Sequence, residues 1–250
     1  MTKMKKVVVI GGTGLIGSKA VKLLQDAGYE AVVASSRNGV NAYTGEGLAE
    51  ALAGTDAVID VSNMMSFDKA VITDFFGTSS RNLTSAEQAV GVRHHVVLSI
   101  VNADRLAANP YMAGKLAQEE AVAASGQAYT IVRATQFHEF TETLVDAYSA
   151  EGVVKVPDIE FQPIAADDVA AALVEAALGE PKNGTVDLAG PERVPFESFI
   201  RTYLDAKGDA RPVTSDAAVA YFGAPVVTGS LVPGGDYVKS RTTINEWLSA

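Results

Sequence analysis

The sequence predicts an α/β protein built on a doubly wound parallel sheet, with a smaller C-terminal lobe. Over the first 135 residues, short runs of consecutive apolar residues alternate with segments whose apolar residues recur at helical spacing. From about residue 150 this alternation loosens, and residues 208–240 are rich in Gly, Pro and Ser. We therefore assign residues 1–155 to the sheet domain and most of 156–250 to the smaller lobe, with strand 185–188 returning to the main sheet.

The first predicted strand is the β-branched run at residues 7–10, and glycines follow it at positions 11, 12, 14 and 17. A helix is predicted next, from about Ser18 to a stop at Gly28. Strand, glycine turn and helix together allow a pyrophosphate to approach the backbone at a helix N-terminus. Two spacings fit a dinucleotide site: Gly12-Gly14-Gly17 and Gly11-Gly14-Gly17. The alternative is a tight turn without a ligand.

The second strand, predicted over 29–35, indicates which cofactor binds. In such a unit, an acidic residue about twenty positions after the glycines favours NAD by binding the ribose. Here Arg37 lies twenty residues after Gly17 and is preceded by Ser36. Because a guanidinium and a hydroxyl can bind a 2′-phosphate, we predict NADP(H). The alternative is an exposed loop arginine.

The third strand, predicted over 56–61, ends in Ser62 and Asn63. Ligands bind at the carboxyl edge of a doubly wound sheet, so these two residues are predicted to contact the cofactor. Met64, Met65 and Phe67 follow and are candidates for the wall beside the nicotinamide or the substrate.

Further predicted elements are a helix over 73–90, a strand over 96–100, a helix over 111–124 and a strand over 129–134. Arg93, His94 and His95 precede the second of these and are predicted to form a surface turn. Asp167 and Asp168 are predicted to cap the helix 169–178 rather than to act as paired acid and base. A helix over 196–206 and a terminal helix containing Trp247 complete the chain.

A candidate catalytic group lies on the helix 111–124. Tyr111 and Lys115 are four residues apart and therefore share one helix face. An ammonium beside a phenol should lower the pKa of the phenol, which can then pass a proton to a carbonyl oxygen as hydride reaches the carbon. Ser99, at a strand end twelve residues earlier, can donate a hydrogen bond to the same oxygen. Tyr203 and Lys207 repeat the spacing without such a serine, and we predict an exposed helix pair there.

The glycine turn, Ser99, Tyr111-x-x-x-Lys115 and the strand 129–133 resemble the short-chain dehydrogenase/reductase superfamily, in particular its atypical NmrA-like, NAD(P)H-binding branch. Phe137, the Gln162-Pro163-Ile164 segment and Leu188-Ala189-Gly190-Pro191 extend the similarity to about residue 191. The resemblance implies a Rossmann-like fold in which Lys115 hydrogen-bonds the nicotinamide ribose and Phe137 lies at the cofactor. It also implies a pyrophosphate cradle made of Gly11, Thr13, Gly14, Leu15 and Ile16.

Two departures from the pattern leave questions open. The family has a proline after the strand arginine, where this chain has Ala134, so the nicotinamide loop can differ in shape. Asn82 lies where the superfamily often has an asparagine of its proton relay, although a polar residue on a helix surface is an equal alternative. His138 and Glu139 follow a strand end and are weaker candidates for facing the substrate.

Composition excludes several classes of function. The chain has 250 residues, no cysteine and a net charge of −10, which argues against disulfides, thiolate chemistry and a nucleic-acid surface. Its three histidines give no metal-site spacing. No run is long enough for a membrane span, and the apolar run at the N-terminus is too short for a signal peptide, so a cytoplasmic protein is expected.

These observations predict an NADPH-dependent oxidoreductase that reduces a carbonyl or related unsaturated group of a small, fairly apolar molecule. One alternative is a non-enzymatic NADP(H)-sensing regulator, since NmrA-like proteins include such members. Another is a nucleotide-sugar epimerase or dehydratase, which would prefer NAD. The substrate and the oligomeric state are left open by the sequence.

Overall fold

A computed structural model of the protein describes residues 5–250, and its centre is a seven-stranded, entirely parallel sheet. Its strands are β1 (Lys6–Ile10), β2 (Glu30–Ala34), β3 (Ala57–Asp60), β4 (His94–Ile100), β5 (Tyr129–Ala134), β9 (Gly184–Ala189) and β12 (Val238–Lys239). Their order across the sheet is β12-β9-β5-β4-β3-β1-β2. The predicted doubly wound parallel sheet is confirmed. The short strand β12 lies within the segment predicted only as Gly-, Pro- and Ser-rich.

Helices cover both faces of the sheet, and this explains the unbroken apolar run of β1. The helices are α1 (Leu15–Asp26), α2 (Leu48–Leu52), α3 (Lys69–Val90), α4 (Pro110–Ala124), α5 (Thr141–Tyr148), α6 (Ala166–Leu178), α7 (Phe196–Ala206) and α8 (Ile244–Ser249). Val7 and Val9 pack in one core cluster with α1 and α6, whereas Val8 and Ile10 pack in another with α2 and α3.

The C-terminal lobe has two small sheets and a core of its own. One sheet joins β6 (Ser149–Ala150), β7 (Val153–Pro157) and β11 (Val213–Asp216), and the other pairs β8 (Glu160–Phe161) with β10 (Val194–Pro195). The rings of Phe161 and Phe196 stack at the centre of this core, with centroids 4.2 Å apart. Residues 164–178, in contrast, pack against β1 and α1, so the C-terminal segment contributes to both cores.

The order in which the chain adds strands to the sheet reverses beside β1. From β1 it passes to β2 on one side and then crosses to β3 on the other side. Such a switch point opens a crevice at the carboxyl ends of the two diverging strands. The glycine turn follows β1 and Ser62-Asn63 follows β3, so both predicted cofactor segments lie at this crevice.

The structure corrects three predictions about polar residues. His94 and His95 do not form a surface turn, because β4 begins at His94 and both side chains are buried against Thr130 and Glu87. Asp167 and Asp168 lie in the first turn of α6 rather than at its cap. Asp167 pairs with Lys19 at 2.8 Å, and the backbone N–H groups of Arg241 and Thr242 donate to Asp168.

Tyr203 is buried on the apolar face of α7, so it is not part of an exposed pair, although Lys207 is exposed and lies over its ring.

The N-terminal signal-peptide prediction concerns, in part, residues 1–4, which lie outside the described residues. Across residues 5–250, none of the helices combines the length and the apolar character needed to cross a bilayer.

Candidate functional site

The glycine turn packs directly on the end of β3. Gly11 has a φ of +79°, and a Cβ there would lie 2.7 Å from the Val61 carbonyl oxygen. A Cβ on Gly17 would lie 2.2 Å from the Gly11 oxygen, and one on Gly12 would lie 2.9 Å from the Val9 oxygen. Both Gly11 and Gly12 are therefore sterically required, and the two predicted spacings describe one turn.

The turn has the donors that a pyrophosphate needs. Gly14 is the N-cap of α1, and the N–H groups of the first helical turn have no acceptor within the helix. Thr13, Gly14 and Leu15 are exposed at the mouth of the turn. Ser62 follows Val61, and its hydroxyl is buried and has no hydrogen-bond partner among residues 5–250. The backbone N–H donors of the turn, and the space that its glycines leave, fit the pyrophosphate of a dinucleotide.

Arg37 lies in a single 3-10 turn, residues 36–38, immediately after β2. Ser35 and Asn38 hold this turn through reciprocal hydrogen bonds, with the Ser35 N–H donating to Asn38 Oδ1 at 2.7 Å. The Arg37 side chain is exposed and has no hydrogen bond or ion pair within the described chain. Its guanidinium is thus available to an anion beside the end of β2.

Tyr111 lies in the first turn of α4, where the Asn109 side chain caps the helix and accepts from the Tyr111 N–H at 2.9 Å. The Tyr111 hydroxyl donates to Asn63 Oδ1 at 2.8 Å. Asn63 is two residues after Val61, which contacts Gly11. The ring of Tyr111 packs edge-on against Phe76, and its hydroxyl lies at the segment that follows β3, the strand next to β1.

Lys115 lies one helical turn after Tyr111 and is only 4% exposed. Its Nζ lies 4.8 Å from the centre of the Phe76 ring and donates to Gln118 Oε1. Gln118 Nε2 in turn donates to Asp60 Oδ2 at 2.9 Å. Burial lowers the pKa of Lys115 to about 8, although the Asp60 and Glu119 carboxylates act in the opposite direction.

The expectation that Lys115 lowers the pKa of Tyr111 is wrong for this structure. Burial raises the pKa of Tyr111 to about 12. The ammonium is hydrogen-bonded to Gln118 rather than to the phenol, so it does not offset the burial. Tyr111 is accordingly a protonated hydrogen-bond donor at neutral pH.

Ser99 is the penultimate residue of β4 and is buried at 2% exposure. Its hydroxyl is buried and has no hydrogen-bond partner in the described part of the chain. Ser99 pairs in register with Arg133 of β5, whose guanidinium is bound by both oxygens of Glu119 at 2.9 and 2.6 Å.

Other predicted residues have structural contacts. Asn82 Nδ2 donates to the carbonyl oxygens of Ala42 and Tyr43, so Asn82 holds a loop and is not linked to Tyr111. Phe137 is half-buried, forms a β-bridge with Ile164 and packs against the core beneath α6.

His138 is 2% exposed, stacks between the rings of Phe199 and Trp247, and lines a cavity of about 120 Å³ in the C-terminal lobe. Glu139 accepts from the Ala166 N–H and from Trp247 Nε1, and thereby caps α6. Neither residue is linked to Tyr111 by a described contact. Met65 and Phe67, in the loop after β3, are 69% and 96% exposed.

Asp60, Asn109 and Gln118 contact the predicted site residues or their partners but are not themselves predicted from the sequence. Asn109 is a recognisable cap, since an asparagine directly before a proline at the first helical position is a common helix start. Gln118 is three residues after Lys115 and therefore shares its helix face. Asp60 ends an apolar strand, where a buried carboxylate is unusual and indicates a specific partner.

Comparisons with known proteins identify the family. A family model described as NAD(P)H-binding matches residues 11–180. The photosystem II assembly factor Ycf39 of Synechocystis is 31% identical over 158 residues, which are 58% of this chain and 48% of that protein. The chain spans about half the length of the curated relatives that it matches.

Solved structures share the fold at low sequence identity. A short-chain dehydrogenase/reductase superfamily protein from Agrobacterium tumefaciens with bound NAD has a TM-score of 0.71 at 16% identity, covering 98% of this chain and 95% of that one. The NADPH-dependent quinone oxidoreductase QOR2 from Escherichia coli has a TM-score of 0.72 at 17% identity, covering 97% and 98%. Because the family model matches residues 11–180, more than half of the sequence, the chain belongs to the NAD(P)H-binding family.

Proposed function

We propose that the protein is an NADPH-dependent oxidoreductase that reduces a carbonyl or related unsaturated group of a small, fairly apolar molecule. The observation that carries this proposal is the position of the Tyr111 hydroxyl. It is hydrogen-bonded to Asn63 at the switch-point crevice, one helical turn from Lys115. When bound, NADPH supplies the hydride for such a reaction.

The proposed cofactor residues follow the crevice from the glycine turn to α4. The backbone of the turn and the first turn of α1 bind the pyrophosphate, and the residues after β2 bind the 2′-phosphate. Lys115 binds the nicotinamide ribose. The proposed set is Gly11, Thr13, Gly14, Leu15, Ile16, Ser36, Arg37, Ser62, Asn63, Lys115 and Phe137.

The protonation state of Tyr111 is the one that carbonyl reduction requires. Reducing a carbonyl requires a proton donor at the oxygen, and a phenol with a pKa of about 12 carries its proton at neutral pH. The substrate oxygen takes the place of Asn63 as the acceptor of this O–H group. The free hydroxyl of Ser99 donates a second hydrogen bond to the same oxygen and so helps to orient it.

The free guanidinium of Arg37 supports NADP(H) over NAD(H). Residues 35–39 contain no carboxylate that would bind a ribose 2′-hydroxyl or repel a 2′-phosphate. This preference distinguishes the proposal from a nucleotide-sugar epimerase or dehydratase, which we expect to prefer NAD. Comparing the dissociation constants for NADPH and NADH tests it directly.

A second candidate is an NADP(H)-responsive assembly or regulatory factor. Two observations favour it: the matched curated relatives are photosystem II assembly factors, and Lys115 binds Gln118 instead of activating Tyr111. In that case NADP(H) binding changes the affinity for a protein partner, and no substrate is turned over.

Turnover by matched tyrosine variants separates the two candidates. We would follow NADPH oxidation with a panel of quinones, aldehydes and enones for the wild type, Tyr111→Phe and Tyr203→Phe. Loss of the proton donor should lower kcat about 100-fold or more with little change in NADPH affinity. Tyr203→Phe alters the second Tyr-x-x-x-Lys sequence and should keep full turnover.

Full activity of Tyr111→Phe would exclude Tyr111 as the proton donor. If the wild type oxidises NADPH with no member of the panel, and a partner binds only in the presence of NADP(H), the regulatory candidate is favoured instead.

A further inference from the structure

Asp60 is a carboxylate with 1% exposure at the end of an apolar strand, and a single glutamine connects it to Lys115. We propose that Asp60, acting through Gln118, is the positioning residue that holds Lys115 at the ribose site and keeps it protonated. This inference rests on the proposed function for the role of Lys115, but it can be tested on the protein without turnover.

The Gln118 amide is oriented as a bridge between opposite charges. Its carbonyl oxygen accepts from Lys115 Nζ, and its NH₂ group donates to Asp60 Oδ2 at 2.9 Å. Gln118 is fully buried, so water does not compete for either end. The positive end of the amide dipole faces the Asp60 carboxylate and the negative end faces the ammonium, which favours the charged form of Lys115.

Asp60 is better placed than Glu119 to offset the cost of burying the positive charge of Lys115. Glu119 also acts on Lys115, but both of its oxygens are bound by Arg133. The face of α3 toward Lys115 presents the uncharged ring of Phe76. Tyr111, on the same helix face, is held in its neutral form by burial.

One further buried pair acts on Asp60. Glu87 of α3 and His95 of β4 are 2.8 Å apart, and each interacts electrostatically with Asp60. Burial raises the pKa of Glu87. Burial lowers that of His95, but the Glu87 and Asp60 carboxylates together outweigh this effect, so the pKa of His95 is raised. Neither Glu87 nor His95 has a described hydrogen bond to Lys115.

Asp60 also connects Lys115 to the acceptor of Tyr111. Its second oxygen, Oδ1, accepts from the Ser62 N–H at 2.9 Å and fixes the turn after β3. The next residue in that turn is Asn63, which accepts the Tyr111 hydroxyl. One carboxylate therefore sets the position of both the lysine and the segment that contacts the tyrosine.

The test measures the pKa of Lys115 in the full-length protein without added cofactor. Lysine side chains are labelled with ¹³C at the ε-carbon and titrated by NMR, with Lys115→Met identifying the signal. Asp60→Asn keeps the size and removes the charge, Gln118→Met removes the bridge, and Asp60→Asn/Gln118→Glu moves the carboxylate next to Lys115. Gln127→Met is the matched control, because Gln127 is also buried and donates one hydrogen bond, to the Val92 oxygen.

We expect a midpoint near pH 8 in the wild type and in the control. In Asp60→Asn and in Gln118→Met the midpoint should fall by about one pH unit or more, and in the double variant it should return to the wild-type value or above. The NADPH dissociation constant at pH 7.5 should rise about threefold or more in both single variants, because the protonated fraction of Lys115 falls by that factor, and recover in the double variant.

A midpoint that is unchanged in Gln118→Met would overturn the inference, as would a double variant that resembles Asp60→Asn alone. A general loss of packing would expose Lys115 and raise its midpoint from about 8 toward 10.5, so a fall in the single variants that the double variant reverses separates positioning from a structural role. The predicted midpoints together with no turnover on any carbonyl or quinone would support the inference on Lys115 and count against the proposed reductase.

Discussion

Replacing Gly17 by Ala should destabilise the protein, although Gly→Ala within a helix usually stabilises. Helix propensity alone predicts that Gly→Ala stabilises by up to about 1 kcal/mol. At Gly17, however, the new Cβ would lie 2.2 Å from the Gly11 oxygen and 2.7 Å from the Gly12 Cα, and neither atom belongs to a movable side chain. Reaching an ordinary contact of 3.4 Å requires α1 to move by about 1.2 Å away from the turn.

That displacement has a cost in stability and in binding. Overpacking of a tight contact costs about 1–3 kcal/mol, so the net effect should be a loss of about 1–2 kcal/mol. Moving the first turn of α1 also displaces the N–H groups proposed for the pyrophosphate. We therefore expect NADPH to bind at least about tenfold more weakly.

Gly77→Ala is the matched control, because Gly77 is also a buried helical glycine and a Cβ there meets only the flexible end of Arg81, at 3.1 Å. The free energy of unfolding is measured with urea by linear extrapolation, and NADPH binding is measured by titration. Gly77→Ala should be neutral or up to about 1 kcal/mol more stable. If Gly17→Ala behaved like Gly77→Ala, the close approach of α1 to the glycine turn would be refuted.

Three other substitutions test separate parts of the structure. Arg37→Ala should weaken NADPH binding by about tenfold or more and leave NADH binding unchanged, as measured by titration; equal losses for both would contradict 2′-phosphate recognition. Gly114→Ala places a Cβ 2.8 Å from the fully buried ring of Phe76. The free energy of unfolding, measured with urea, should therefore fall by about 1–3 kcal/mol. An unchanged free energy of unfolding would mean that α3 and α4 are not in close contact. Burial lowers the pKa of His138 from 6.5 to about 4, so the folded state loses stability as the pH falls from 6.5 toward 4. His138→Leu should reduce the stability lost between pH 7 and pH 4.5 by about 2–3 kcal/mol, as measured by urea unfolding at both pH values. An identical loss of stability in the variant would show that His138 takes up its proton without unfolding.

The main sheet could be predicted from the sequence because its strands are buried on both faces. Residues 7–10 face α1 and α6 with alternate side chains and α2 and α3 with the others, so every position is apolar. The short strand β12 gives no such signal. Val238 and Lys239 are exposed, and their pairing with β9 depends on the path of the preceding loop.

Buried polar residues account for the errors in the fold. His94 and His95 look like a polar turn by composition, yet they lie in β4 because Thr130 and Glu87 provide partners from other elements. The lack of a strand-end serine upstream of Tyr203 predicts an exposed pair with Lys207, whereas the apolar face of α7 places Tyr203 in the lobe core. A residue's partner across the fold decides its burial, and local composition does not contain that information.

The candidate site likewise has features that depend on local sequence and features that depend on distant residues. Tyr111 and Lys115 are four residues apart and so lie on one face of a helix, which the local sequence is enough to predict. The acceptor of the Tyr111 hydroxyl is 48 residues away, and the carboxylate joined to Gln118 is 58 residues away. Local spacing therefore suggested a lysine that lowers the pKa of the phenol. The fold instead gives each group a separate partner, Asn63 for Tyr111 and Gln118 for Lys115, and burial then moves the two pKa values in opposite directions, to about 12 and about 8.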